Sequence, residues 1–246
     1  MYKKIKRFFD ILFSILMIVI PLPFLIPVMI GLKLTGEGYV FYLQERVGYR
    51  QKPFNIFKFA TMLKDSPNMA GGIITVKKDP RITPLGGFLR KTKINELPQL
   101  FNILRGDMSF VGPRPVMAKS FNQYPPQVQS IIYKVVPGLT GIGSIIFRDE
   151  EELITVAKEA GIDPWDYYRK AIFPYKGELE SWYQKNQSFK TDFFILFLTA
   201  WQILFPSSEL VFKIFKDLPK KPFNLSAEGI RKMKPSIDPA FLIKEN

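Results

Sequence analysis

Arg90, Arg114 and Arg148 are side chains suited to hold a phosphate, because a planar guanidinium offers paired N–H donors that match phosphate oxygens. Taken singly, Arg90 and Arg148 read as ordinary surface arginines. Arg114 is different: Pro113 and Pro115 flank it and Gly112 precedes them, so its backbone is set before a ligand arrives, and a rigidly presented charge suits binding. The chain has no cysteine and no histidine. Disulfides, thiolate and imidazole ligands, most zinc sites, His-based triads and histidine general bases are thereby excluded. Chemistry must rest on carboxylates, Lys, Arg, Tyr, Ser or Thr, with a hard oxygen-bound cation such as Mg²⁺ as the metal such groups accept.

The elements that position these groups must come from 246 residues, enough for one ordinary domain with appendages and a real core. Hydrophobic residues make up 47% and aromatics 15%, which argues against wholesale disorder. A formal charge of +13 suits nucleic acid, an anionic membrane surface or a phosphorylated substrate. Charge alone does not choose among them, but no recognised nucleic-acid motif accompanies it, so a nucleic-acid partner is not expected.

No charged residue falls between Ile11 and Leu32. As one straight helix this run would rise ~33 Å, enough to span a bilayer core. Pro21, Pro23 and Pro27 interrupt it, and the apolar stretch upstream of Pro21 would rise only ~20 Å. Lys3, Lys4, Lys6 and Arg7 precede the run and Lys33 follows it, whereas a spanning helix carries its basic bias on one side. The expectation is a re-entrant hairpin within residues 1–36, against a kinked transmembrane helix or a cleaved signal peptide. A second apolar run, residues 192–205, is too short to span; it reads equally as an interfacial helix or a buried core helix. Lys213, Lys216, Lys220, Lys221, Arg231, Lys232 and Lys234 make residues 206–246 a basic C-terminal tail, expected at the surface or against a membrane.

Between these lies the expected globular domain, residues 37–205. Residues 39–43 and 54–59 predict strands joined through Gly48. Apolar spacing predicts a helix from Gly86 to Leu104, with Pro98 early in its second part and Gly106-Asp107 ending it. Ser109 to Pro115 is an apolar step into the loop that presents Arg114, and Val136 to Gly143 predicts tight turns.

Five segments occur in order: KRFFD (6–10), QERVG (44–48), FKFATM (57–62), the long run from Asp79 to Pro115, and VPGLTG (136–141). Together they resemble the bacterial sugar transferases, the monotopic phosphoglycosyl transferases that begin glycan assembly on polyprenol phosphate. The resemblance implies a re-entrant membrane helix broken at a proline, nearest Pro23, carrying a small α/β globule on the cytosolic face of the bacterial inner membrane. It implies transfer of a sugar-1-phosphate from a nucleotide diphospho-sugar to polyprenyl phosphate, with Mg²⁺, through a phosphosugar intermediate on the aspartate of an Asp-Glu dyad. That dyad falls on Asn95 and Glu96, and the phosphate-binding groups on Arg90, Arg114 and Lys58.

Asn95 departs from the family pattern, since a carboxamide is a very poor nucleophile and a weak Mg²⁺ ligand; Glu96 remains as the one weak metal ligand. Leu22 stands where a serine precedes the proline, Ala60 where the family carries Arg or Lys, Ser144 where Gln follows the loop, and Ile146-Phe147-Arg148 where Asn-Gly-Arg is usual. Residues 149–152 are acidic and begin a stretch unlike the family's linker. These departures predict a non-catalytic paralogue that supports an active family member as a heterodimer, with a homodimer also open. An active or mutationally arrested transferase acting on a UDP-sugar and undecaprenyl phosphate is the alternative. Mg²⁺ is expected only if a nucleotide sugar still binds.

Overall fold

The computed structural model describes residues 1–69, 75 and 79–233. In chain order its elements are α1 (Tyr2–Val19), α2 (Leu22–Leu34), β1 (Phe41–Val47), β2 (Pro53–Phe59), α3 (Pro84–Lys91), a 3₁₀ turn (Ile94–Glu96), α4 (Gln99–Arg105), β3 (Ser109–Val111), α5 (Ala118–Phe121), α6 (Pro126–Ile132), β4 (Gly138–Thr140), α7 (Ile142–Ile146), α8 (Glu150–Glu159), α9 (Pro164–Tyr167), a π turn (Tyr168–Ile172), α10 (Phe173–Asn186), α11 (Phe189–Leu204), α12 (Leu210–Ile214) and α13 (Ala227–Met233). Helices dominate two small sheets, compatible with an α/β fold.

Of the three prolines expected to interrupt the apolar run only Pro21 marks the break; Pro27 lies inside α2, which continues through it. Ile20 and Pro21 separate α1 from α2, Pro23 sits in the first turn of α2, and the two helices are bent by 64°. The break therefore falls at Pro21 rather than at Pro23, because Pro23 occupies a first-turn position where its missing N–H costs nothing. Among the described residues no single helix is long and apolar enough to cross a membrane; the bent pair passes that test only jointly.

The burial pattern of α1 is inverted. Its buried residues are Asp10 and Ser14, while Phe8, Phe9, Leu12, Phe13 and Leu16 are exposed. A water-surrounded helix does the reverse. The inward face docks through polar groups: Asp10 Oδ1 accepts from Ser109 Oγ and from the Phe110 N–H, both at 3.1 Å. Arg7 donates to the carbonyls of Ile103 and Leu104 near the end of α4. Tyr2 and Lys6 meet Asp192 of α11, which also accepts from Tyr183 at 2.9 Å.

β1 and β2 pair antiparallel with Tyr42 opposite Lys58, and β1 runs on through Arg46, beyond the strand expected at 39–43. The helix expected from Gly86 to Leu104 is broken. Lys93 adopts φ 62°, a left-handed conformation that terminates α3, and Asn95 and Glu96 lie in a 3₁₀ turn before α4. Pro98 caps α4 as a residue without an N–H can. β3 and β4 pair in parallel, β3 in the apolar step that leads into the Arg114 loop and β4 in the stretch expected to form tight turns. Gly112, Gly138 and Gly141 make this possible: a Cβ on Gly138 would lie 2.1 Å from Gly112 N, and one on Gly141 2.2 Å from Gly112 O.

Helix α11 serves two surfaces. Ile195 and Leu198 are buried, whereas Phe193, Phe197, Ile203 and Leu204 are exposed. The main core joins α7, α8, α10 and α11 with residues beyond 206: Val211, Leu218, Leu225 and Ile230 are buried in the same cluster as Leu153, Ile154 and Leu179. Residues 207–233 are thus a packed strap rather than a free tail, with Lys213, Lys216, Lys220, Arg231 and Lys232 left on its outside. Lys234 and residues 235–246 lie outside the described residues.

Candidate functional site

Four elements converge on one charged cluster. The 3₁₀ turn places Glu96, β2 places Lys58, α3 places Arg90, and the loop after β3 places Arg114. The loop is tied down by backbone: Gly112 N–H donates to Thr140 at 3.0 Å and Gly138 N–H to Pro113 at 2.9 Å. Tyr133 adds two bonds, donating to the Arg114 carbonyl at 2.9 Å and accepting from Val116 N–H at 3.0 Å.

Arg114 Nη2 donates to Glu96 Oε1 at 2.6 Å. Burial pushes the Glu96 carboxyl up, but the charges of Arg114, Lys58 and Lys93 outweigh it and hold the group at about 2. Burial brings the Lys58 ammonium down to about 7; Glu96 opposes that shift and Arg46, Arg114 and Arg90 reinforce it. Arg46 donates to Gln44 and keeps a buried Nε without a partner. Burial, then Arg114, lowers it to about 10.

Asn95 is 6% exposed, and its Oδ1 has no hydrogen-bond partner. Gln99, one turn on, is likewise buried with an orphan Nε2. Arg90 is engaged by Glu151 of α8 at 2.6 Å. Arg148 is exposed. Pro21 and Pro23 belong to the helix break and not to this cluster.

Several participants were missed in sequence. Arg46 lies within the QERVG segment and could have been suspected from it. Lys93 lies inside the Asp79–Pro115 run, and Glu150 and Glu151 inside the acidic 149–152 stretch, but nothing there points to this cluster; Tyr133 and Glu180 come from distant stretches with no local signal. Glu180 is 5% exposed with Oε2 unpartnered, and burial raises its carboxyl to about 8. Its Oε1 would lie 2.8 Å from a Cβ on Gly143, so this glycine makes room for the acid.

Two of the departures have a packing reason. Ile146 and Phe147 are buried in the main core, where Phe147 meets Tyr175 at 5.8 Å between ring centroids. An apolar pair there seats the 149–186 stretch. Ser144 is different: its Oγ is buried without a partner.

The donor set does not fit a resident divalent cation. Among the described residues no group of three or more Asp or Glu side chains is placed to hold a metal ion, and Glu96 is in an ion pair with Arg114. Hard cations need several oxygen ligands, whereas Glu96 is surrounded by Arg46, Lys58, Lys93 and Arg114, Arg90 is paired with Glu151, Glu150 is paired with Lys176, and Glu180 is held protonated by burial up to a pKa of about 8. What this arrangement can do is hold an anion with more than one negative charge.

The family described as bacterial sugar transferase matches residues 1–206. An undecaprenyl-phosphate galactose phosphotransferase of Salmonella typhimurium is 34% identical over 215 residues, covering 81% of this chain and 40% of that protein. An undecaprenyl-phosphate glucose phosphotransferase of Komagataeibacter xylinus is 37% identical over 162 residues, 59% of this chain and 30% of that protein. The exopolysaccharide production protein ExoY of Sinorhizobium fredii is 36% identical over 164 residues, 61% of this chain and 72% of that protein. The chain thus spans less than half the length of the first two of these curated relatives. With most of its length matched, the chain belongs to the bacterial sugar transferase family.

Proposed function

We propose that this chain works in bacterial glycan assembly on undecaprenyl phosphate as a family member that keeps the phosphate-holding cations and lacks the covalent nucleophile. The observation that carries the reading is Asn95: a buried carboxamide with an idle Oδ1, next to Glu96 and within the cation cluster. In the family chemistry a carboxylate at this position attacks the β-phosphate of a UDP-sugar and releases UMP. A carboxamide carries no charge with which to do so. Glu96 is a poor substitute, since Arg114 holds its carboxylate at about 2 and so reduces its basicity.

Arg90, Arg114 and Lys58 would bind the diphosphate, and any Mg²⁺ would arrive with it rather than wait in the chain. The exposed apolar faces of α1, α2 and α11 support a monotopic seat in the cytosolic leaflet, where the lipid phosphate is met. The partner in this reading is an active family member, whose nucleophile does the transfer.

The test is release of UMP from UDP-glucose, UDP-galactose and UDP-N-acetylgalactosamine in the presence of undecaprenyl phosphate. No UMP is expected from the chain itself, and little or none from N95D, because Ala60 and Ser144 also differ from the family pattern. Turnover by the natural sequence would establish an active transferase instead. Strong recovery by N95D alone would mean a single arrested residue in an otherwise working site.

A further inference from the structure

Arg90, read above as a phosphate donor, is already occupied by the chain itself. Its Nη2 donates to Glu151 Oε1 at 2.6 Å, across 61 residues of sequence. Glu151 is the second residue of α8, whose first turn is Glu150-Glu151-Glu152, and carboxylates at a helix start are favoured by its dipole.

The two neighbouring acids behave differently. Glu150 is pinned: Lys176 Nζ donates to its oxygens at 2.7 and 2.8 Å and Tyr168 donates at 2.6 Å. Glu151 is 54% exposed against 24% for Arg90, so it can swing away without leaving a buried charge behind. The helix that carries it cannot easily drift. Leu153 and Ile154 are buried in one cluster with Leu225 and Ile230 of the strap. Lys221 of the strap lies 3.3 Å from Asp149, and Tyr167 donates to the Asn224 carbonyl at 2.7 Å. This strap lies beyond the residues that the family matches, 1–206.

We infer that Glu151 is an internal counter-anion: it holds Arg90 while the site is free, and an incoming phosphate must displace it. Ligand binding is then a competition against the chain's own carboxylate, and the apparent affinity is reduced by the fraction of molecules in which Arg90 is free. An exposed ion pair of this kind is weak, so the handicap is modest, up to about fivefold in Kd. Anything that moves α8 or the strap would change it. The inference rests on the reading of Arg90 as a phosphate-binding group.

The experiment is calorimetric titration of UDP into the full chain in detergent micelles at low salt, with E151Q, R90A, the double variant R90A/E151Q, and E159Q as a charge-matched control on the same helix. Expected are tighter binding by E151Q, by about two- to fivefold, no such gain for E159Q, weaker binding by R90A, and no further effect of E151Q in the R90A background. Three results overturn the inference: E151Q binding like the natural chain, E159Q giving the same gain, or E151Q strengthening binding equally when Arg90 is absent. If R90A binds UDP as well as the natural chain, or no variant binds at all, the phosphate-site reading fails and this inference falls with it.

Discussion

The Arg114 guanidinium and the Glu96 carboxylate meet at 2.6 Å, brought together by two unrelated backbone devices. Lys93 in a left-handed conformation turns the chain so that Glu96 faces inward. A proline-flanked loop, fastened by Tyr133 and the Gly112 and Gly138 amides, delivers Arg114 to it. The pair is therefore preorganised, and its charge state is set by the surrounding cations rather than by solvent.

Removing Arg114 leaves Glu96, whose side chain is 14% exposed, as a carboxylate without its hydrogen-bonded partner, answered by Lys58, Lys93 and Arg46 through charge. R114A is expected to cost about 2–4 kcal/mol, somewhat below a fully buried pair because Arg114 is itself 41% exposed. The double variant R114A/E96Q should recover part of that loss. Glu96 has a depressed pKa in the fold, so its stabilisation is present above the unfolded value near 4.5 and is lost as pH falls toward about 2. Denaturant unfolding between pH 2 and 6 should show that acid limb in the natural chain and a weaker one in E96Q.

Lys58 acts in a higher pH window, with the same sign. Its ammonium is lowered to about 7 from 10.5, so between these values the unfolded chain holds a proton that the folded chain has released, and stability contributed by this group rises with pH. A bound phosphate restores the charge. At pH 8, UDP binding should therefore take up a fraction of a proton, visible as a buffer-dependent calorimetric enthalpy, and affinity should fall as pH rises from 7 to 9. K58M should remove both signatures; proton uptake unchanged in K58M would assign the effect to another group.

The parts of this molecule legible in sequence were those with local causes. Proline chemistry marked the helix break to within two residues, and the aromatic strands and the rigid Arg114 loop followed from composition and spacing. The break at Lys93 was not legible, because a lysine with φ 62° carries no glycine or asparagine to announce it. Nor was the contact of Arg90 with Glu151, which depends on how α8 is seated. The strap shows the same limit differently. Its many lysines dominated the reading, while Val211, Leu218, Leu225 and Ile230, spaced too irregularly to make a helical stripe, turned out to be core. The apolar Ile146-Phe147 pair is explained by that same core and so says less about lost chemistry than it did in sequence.

Asp10 is the next test of how the α1–α2 unit is held. Its carboxylate accepts from the Phe110 N–H and from Ser109 Oγ. D10A would leave both donors unsatisfied at a buried junction, at an expected cost of about 2 kcal/mol. D10N keeps an acceptor oxygen and should lose less than half as much. Limited proteolysis would separate the effects: D10A should expose cleavage sites around α1 that D10N does not, and equal protection in both would mean that Arg7 and Lys6 hold α1 without Asp10.

The seat in the membrane can be tested cleanly because the chain has no native cysteine. Lys4 lies near the start of α1 and Thr35 just after α2, and both are exposed. A straight crossing would place them on opposite sides of a bilayer. The 64° bend at Pro21, with lysines at both ends of the apolar run, favours placing them on the same side. In sealed, right-side-out bacterial cells, K4C and T35C should both resist a membrane-impermeant maleimide and both react after lysis. Labelling of T35C in intact cells would show that the bent pair crosses the membrane. Labelling of both in intact cells would place the whole site on the wrong face for a cytosolic nucleotide sugar.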